Sequence, residues 1–379
     1  MKKKCYKVMF GTLLTGVGFW LGYQLAAMVA QIPSQSMFEN EFVNFGFIYL
    51  LFFFLFLVAI FIHELGHYIG GRLSRYRLIS FRVGSWVLVR WDEGLFWKRF
   101  TLHGTLGQCL MAPPSSDYNQ VPVLLYNLGG PLINLLFAPL IVLGLKMDPS
   151  WWSLTLFLFG GLNLLLSLGN GIPFKGKIIS NDGMNAWELY HSPAAREAFV
   201  KQMLITEGLT RGRRLKDLPV ELFHLKSPVE EGNSFVSMMN YYWASYLLDK
   251  GAYREGRGIL DKLVLPSGTL PGLLKIFSRL ALLFLELLEN PSQTDLSILE
   301  EKQTKQVLKA MKNSPAILSI QYAIARLRNQ NQAEADAIRH QLEKVIQTYP
   351  TKAEIEMALE DVDMVDRIAA GEDVTNLFS

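Results

Sequence analysis

Residues 63 to 67 of the 379-residue chain read His63-Glu64-Leu65-Gly66-His67. On a helix, side chains four residues apart share a face, so this spacing offers two imidazoles to one metal ion. Glu64 sits beside them, within reach of a water that the metal activates, which is the pattern of a zinc hydrolase. A catalytic zinc site takes three protein ligands and leaves the fourth position to water. Cys5 and Cys109 are the chain's two cysteines and no C-x-x-C occurs, so the missing ligand must be a histidine or a carboxylate. Asp182 is the expected third ligand, in Asn181-Asp182-Gly183, where Gly183 lets the backbone come close to a crowded site. His103 and Asp117 are the alternatives, and neither follows the end of an apolar run. His191, His224 and His340 have no spaced partner and read as packing or surface residues.

Elements that hold such residues in apolar surroundings are abundant. Half of the chain (50%) is apolar and 19% is charged, with a mean hydropathy of +0.20. That composition excludes disorder and is too greasy for two ordinary soluble domains. A net charge of +3 is too small to point to a nucleic-acid partner. Four runs, about residues 9–31, 44–66, 121–145 and 151–170, are long enough to cross a hydrocarbon core, which takes about 20 residues. The second contains His63 and Glu64 near its end, and a carboxylate there costs several kcal/mol unless paired or metal-associated. Lys2, Lys3, Lys4 and Lys7 precede the first run, and Arg72, Arg75, Arg77, Arg82, Arg90, Lys98 and Arg99 separate the second from the third. Residues 32–43 carry no Lys or Arg, so both ends of this part are expected in the cytoplasm. A cleaved signal peptide is the other reading of the first run, which is long for one.

From about residue 191 charge returns and apolar residues take helical spacing, as in 241–263 and 321–347. Each reads as a helix, a polar turn and a second amphipathic helix. Between them, 271–288 is apolar but carries Lys275, Arg279 and Glu286, which suits a buried helix of a bundle better than a fifth span. The helical pairs resemble degenerate tetratricopeptide-type (TPR-like) repeats of about 40 residues, and an irregular helical bundle is the alternative. The expected fold is therefore mainly α. A polytopic membrane domain over 1–190 is followed by a soluble all-α cytoplasmic domain over 191–379. Residues 78–91 and 95–102, β-branched and aromatic around Asp92-Glu93-Gly94, predict a cytoplasmic β-hairpin. Its Trp86, Trp91, Trp97 and Phe100 among Arg90, Lys98 and Arg99 suit a headgroup interface.

Three motifs in order carry a resemblance. They are His63-Glu64-Leu65-Gly66-His67 in the second run, Gly130-Pro131-Leu132-Ile133-Asn134 in the third, and Asn170-Gly171-Ile172-Pro173 followed by Asp182-Gly183 after the fourth. Over about residues 44–190 the chain resembles the site-2 protease family of intramembrane zinc metalloproteases, in particular bacterial members without a PDZ domain. It departs from many members in spacing, with eight residues between Pro173 and Asp182. The resemblance implies a Zn2+ cofactor on His63, His67 and Asp182, Glu64 as general base, and Asn134 and Asn170 as hydrogen-bonding partners of an unwound substrate. The implied substrate is a transmembrane or membrane-anchored peptide met within the lipid bilayer. A strand edge of the hairpin could hold such a substrate by β-addition. Two other readings stay open: a zincin that takes a glutamate from a later helix, and a non-catalytic adaptor or sensor whose helical tail binds a peptide or protein partner.

Overall fold

The computed structural model describes residues 2–32, 40–101, 105–176, 180–227, 233–266 and 270–372. His103 lies outside them. Contacts divide the chain into two units, one of Met1–Arg75, Pro122–Gly176 and Ser180–Tyr190, the other of Tyr76–Val121, Lys177–Ile179 and His191–Ser379.

The first unit is built of apolar helices. Helices α1 (Lys2–Gln31), α2 (Glu41–Leu73), α3 (Leu124–Phe137), α4 (Leu140–Lys146), α5 (Trp151–Gly171) and α6 (Asp182–His191) follow one another. Four stretches, Tyr6–Gln31, Glu41–Leu73, Tyr118–Lys146 and Trp151–Gly171, are long and apolar enough to cross a membrane. They coincide with the four runs expected. The third is not one helix, because Pro139, which has no N–H to continue the ladder, stands at the start of α4. Polar caps set the ends: the Asn40 side chain accepts from Phe42 N at the start of α2, and Ser150 and Ser153 form a reciprocal capping box on α5. Helix α5 packs against α1, α2, α3 and α4, and buries Leu154, Phe157, Leu158 and Leu162 with Leu21, Ala59 and Ile141. Outward, α2 exposes Phe45, Leu50, Phe53 and Phe54. A contiguous apolar face of this kind needs a non-aqueous cover.

The second unit joins a small sheet to a helical array. Strands β1 (Arg77–Val83), β2 (Trp86–Trp91), β3 (Gly94–Arg99) and β4 (Gly107–Ala112) form an antiparallel sheet in the order β3-β2-β1-β4. The sheet is larger than the expected hairpin. The run read as one strand over 78–91 reverses at Gly84, whose φ of 61° is a left-handed conformation that glycine adopts freely, so Phe81 pairs with Leu88. The turn at Asp92–Glu93 joins β2 to β3, and β4 pairs on the far side of β1. The helices are α7 (Pro193–Thr210), α8 (Ser234–Asp249), α9 (Tyr253–Val264), α10 (Gly272–Glu289), α11 (Lys302–Ala310), α12 (Pro315–Ala323), α13 (Gln332–Thr348) and α14 (Lys352–Ala369). Helices α8 and α9 pair, as do α12 and α13, and α14 packs on both α12 and α7. The 271–288 segment is α10, burying Leu280, Leu283, Leu287 and Leu288. The sheet is fastened to this array: Trp91 Nε1 donates to Pro350 O at 2.9 Å and Lys98 Nζ to Gln347 O at 2.9 Å, while Lys98 and Lys352 flank the Trp91 ring.

Candidate metal centre

Helix α2 carries His63 and His67 on one face, buried, ten and six residues before its end at Leu73. The facing helix, α3, comes unusually close. A Cβ on Gly66 would lie 2.3 Å from Gly129 O, and one on Gly129 would lie 2.3 Å from Gly66 O, so the two backbones touch only because both residues lack side chains. One residue on, a Cβ at Gly130 would stand 2.5 Å from His67 Nε2 and 2.7 Å from His63 Nε2. Gly130 thus leaves open the space that the two imidazoles face.

Asp182 enters from the start of α6. Asn181 positions it: its Nδ2 donates to Gly169 O and Ile172 O at 2.7 Å each, and its Oδ1 accepts from Phe174 N (2.8 Å) and Met184 N (3.0 Å). This folds the start of α6 back onto the end of α5. The close approach uses Gly183, where a Cβ would meet Gly171 O at 2.2 Å. Asp182 Oδ2 then lies 3.0 Å from His63 Nε2 and 3.3 Å from His67 Nε2, and the two Nε2 atoms are 3.2 Å apart.

Hydrogen bonds behind the rings decide which atoms face inward. Asn163 Nδ2 donates to Phe159 O at 2.8 Å, a carbonyl that can only accept, so Asn163 Oδ1 is left to accept from Asn134 Nδ2 at 2.6 Å. Asn134 also donates to Ala59 O, which turns its Oδ1 toward His63 Nδ1 at 2.5 Å. His67 Nδ1 meets Tyr126 O at 2.8 Å. Both Nδ1 atoms therefore donate outward, and in the neutral imidazoles both Nε2 lone pairs point at the carboxylate. Two lone pairs and an anionic oxygen converging without a hydrogen between them repel one another unless a cation sits among them.

Among the described residues, His63, His67 and Asp182 are the group of His, Cys, Asp or Glu side chains able to hold a metal ion, with ligand atoms within 4.8 Å of one another. Two imidazole nitrogens and a carboxylate oxygen suit zinc and other first-row divalent metals.

Glu64 is buried beside His63 on α2. Asn134 is fully buried and bonded to His63, Ala59 and Asn163. Asn170 is not drawn into this network; its Nδ2 donates to Leu166 O, one turn back on its own helix, at 3.1 Å. Asp117 lies in the other unit and caps the short turn at Tyr118–Gln120 through Asn119 N. Asn163, Asn181 and the Tyr126 carbonyl were given no role by sequence reasoning. An asparagine two turns before Asn170 inside an apolar run was the available signal for Asn163, and the residue before Asp182 at a helix start was that for Asn181. Nothing in local sequence marks a backbone carbonyl.

No family model matches the sequence, and no curated protein or solved structure matches the chain.

Proposed function

We propose that this chain is a zinc-dependent intramembrane endopeptidase of the site-2 protease type, cutting a transmembrane or membrane-anchored peptide in a bacterial cell membrane. The observation that supports this most is the convergence of Asp182 Oδ2 on His63 Nε2 and His67 Nε2, beside the buried Glu64 of a helix apolar enough to lie in lipid. Zinc held by these three ligands would lower the pKa of a water to about 7 and polarise a peptide carbonyl. Glu64 takes the proton of the attacking water and returns it to the leaving amine, a role worth roughly 10²–10⁴ in rate. Asn134 and the Tyr126 carbonyl keep the two imidazoles in the tautomer that faces the ion. With its hydrogen bonds committed to His63 and its neighbours, Asn134 suits this positioning role better than contact with substrate. Asn170 is left to meet an unwound substrate strand, giving up its bond to Leu166 O.

The N terminus and the helical unit lie in the cytoplasm in this reading. The paired helices α8–α9 and α12–α13 suit a TPR-like scaffold that recruits a protein or peptide partner. The test is a comparison of membrane peptides from cells carrying wild type and Glu64→Gln, together with metal per polypeptide in the purified proteins. The expected result is about one zinc in both, with uncut peptides accumulating only in the variant. Unchanged peptides would sink the peptidase, and absence of metal binding even from added zinc would favour an adaptor.

A further inference from the structure

The helical unit holds a partly open cavity of about 240 Å³ between α8, α10, α12 and α14. At about 30 Å³ per water it has room for roughly eight waters, or for an organic molecule of about ten non-hydrogen atoms. Phe277, Leu280 and Phe284 of α10 and Ile317 and Ile320 of α12 make most of its wall apolar. One end is polar, formed by Arg214, Asp249, Glu360 and Asp361.

The charges at that end do not balance. The Arg214 guanidinium is spent on two carboxylates, with Nε 3.0 Å from Asp249 Oδ1 and Nη1 2.5 Å from Glu360 Oε1. Asp249 Oδ2 also accepts from Lys216 N at 2.9 Å, and Lys216 Nζ reaches Glu360 at 3.9 Å. Even with Lys216 counted, three carboxylates face two cations. The unmatched one is Asp361, which accepts from the neutral Ser319 hydroxyl at 3.2 Å. Among the other groups around it, α8 contributes Asp249 and Tyr241, α9 Tyr253, and α14 Glu360, while the α10 side chains that line the cavity are uncharged. Burial pushes the Asp361 carboxyl up to about 7, against the pull of Arg214.

We propose that this cavity is a binding site for a small organic cation, an alkyl- or aralkylammonium whose charge Asp361 balances and whose body the apolar wall covers. An anion would meet a guanidinium already saturated and an excess of carboxylates. A neutral ligand would leave Asp361 as it is. A bare metal ion would gain nothing from the apolar wall. The inference does not rest on the peptidase reading, and Glu64→Gln protein should bind the cation as wild type does.

The probe is phenethylamine, with 2-phenylethanol as its neutral counterpart of the same size, titrated calorimetrically into the full-length detergent-solubilised protein. The expected result is saturable one-to-one binding of the ammonium at pH 8, about tenfold weaker at pH 6 because Asp361 is then mostly protonated. Asp361→Asn, which keeps shape and removes charge, should weaken it at least tenfold and abolish the pH dependence. Ile320→Trp, which fills the cavity and spares Asp361, should abolish it. A thermal melt of each variant confirms that it is folded. Equal affinity for the amine and the alcohol, undiminished binding in either variant, or no saturable binding of the amine at pH 8 would each overturn the site.

Discussion

The two units treat buried charge in opposite ways. In the helical unit, Glu197 accepts from Lys201 Nζ at 2.9 Å and from the N–H groups of Lys226 and Ser227, and Asp249 is held by Arg214. Each of these carboxylates is provided with a cation of the protein's own. In the apolar unit, two Nε2 lone pairs and Asp182 Oδ2 converge, and the bonds behind the imidazoles run to carbonyl oxygens that can only accept. A cluster that carries its own counter-ion needs nothing from solution and serves the fold. One whose neutral imidazoles and carboxylate all turn acceptors inward offers its place to a guest cation, so charge balance separates the two kinds of cluster better than burial does.

The largest effects should come from the ligand set. Asp182→Ala is expected to take purified protein from about one metal ion per chain to nearly none, measured by elemental analysis, with the helices retained. If the metal stays, the cluster is not what holds it and the contrast between the units collapses. Glu64→Gln should keep the metal and slow peptide cleavage by roughly 10²–10⁴. Joint loss of metal and cleavage in that variant would instead make Glu64 a ligand.

A self-balanced cluster should respond differently, through stability and not through metal. Arg214→Met leaves Asp249, almost wholly buried, and Glu360 without their guanidinium. Removing one partner of a buried pair costs about 3–5 kcal/mol, so the helical unit should unfold at markedly lower denaturant while metal content stays unchanged. Tryptophan fluorescence, with Trp243 on α8, reads the first quantity, and a variant as stable as wild type would remove the distinction drawn above.

How much of this was legible beforehand depends on how local each feature is. The four long apolar stretches are, because a run of about twenty apolar residues marks one by itself, and so is the face shared by His63 and His67, because helical spacing alone creates it. Asp182 was singled out by its place after the fourth apolar run and by Gly183 beside it, and the fold brings it to the two histidines. The sheet was half read, since a β-branched run gives no sign that Gly84 turns it back on itself. The polarity chain from the Phe159 carbonyl through Asn163 and Asn134 to His63 was out of reach, because it exists only once α2, α3 and α5 have packed. Asn134→Ala tests that chain: it removes the acceptor behind His63 and should weaken metal binding about 10–100-fold, as loss of such supporting bonds typically does. Competition with a metal chelator measures this, and an unchanged affinity would mean that α2 alone orients the ring.

Asp361 lies between the two kinds of cluster, and the smallest effect expected here concerns it. In the unfolded chain its carboxyl ionises near the ordinary value of about 3.9, whereas in the fold, where burial opposes the charge, it keeps its proton up to about pH 7. Between those values the folded state binds more protons than the unfolded one, so this residue makes stability fall as pH rises from about 4 to about 7 and contributes no further change above. Asp361→Asn cannot ionise and escapes that loss. Its melting temperature should match wild type near pH 4 and exceed it at pH 8, with the gap opening between those values. Saturating phenethylamine should narrow the difference by stabilising only the wild type. A gap of the same size at pH 4 and pH 8 would show that Asp361 is balanced after all, and would place it with Asp249 and Glu197 among the charges that serve the fold.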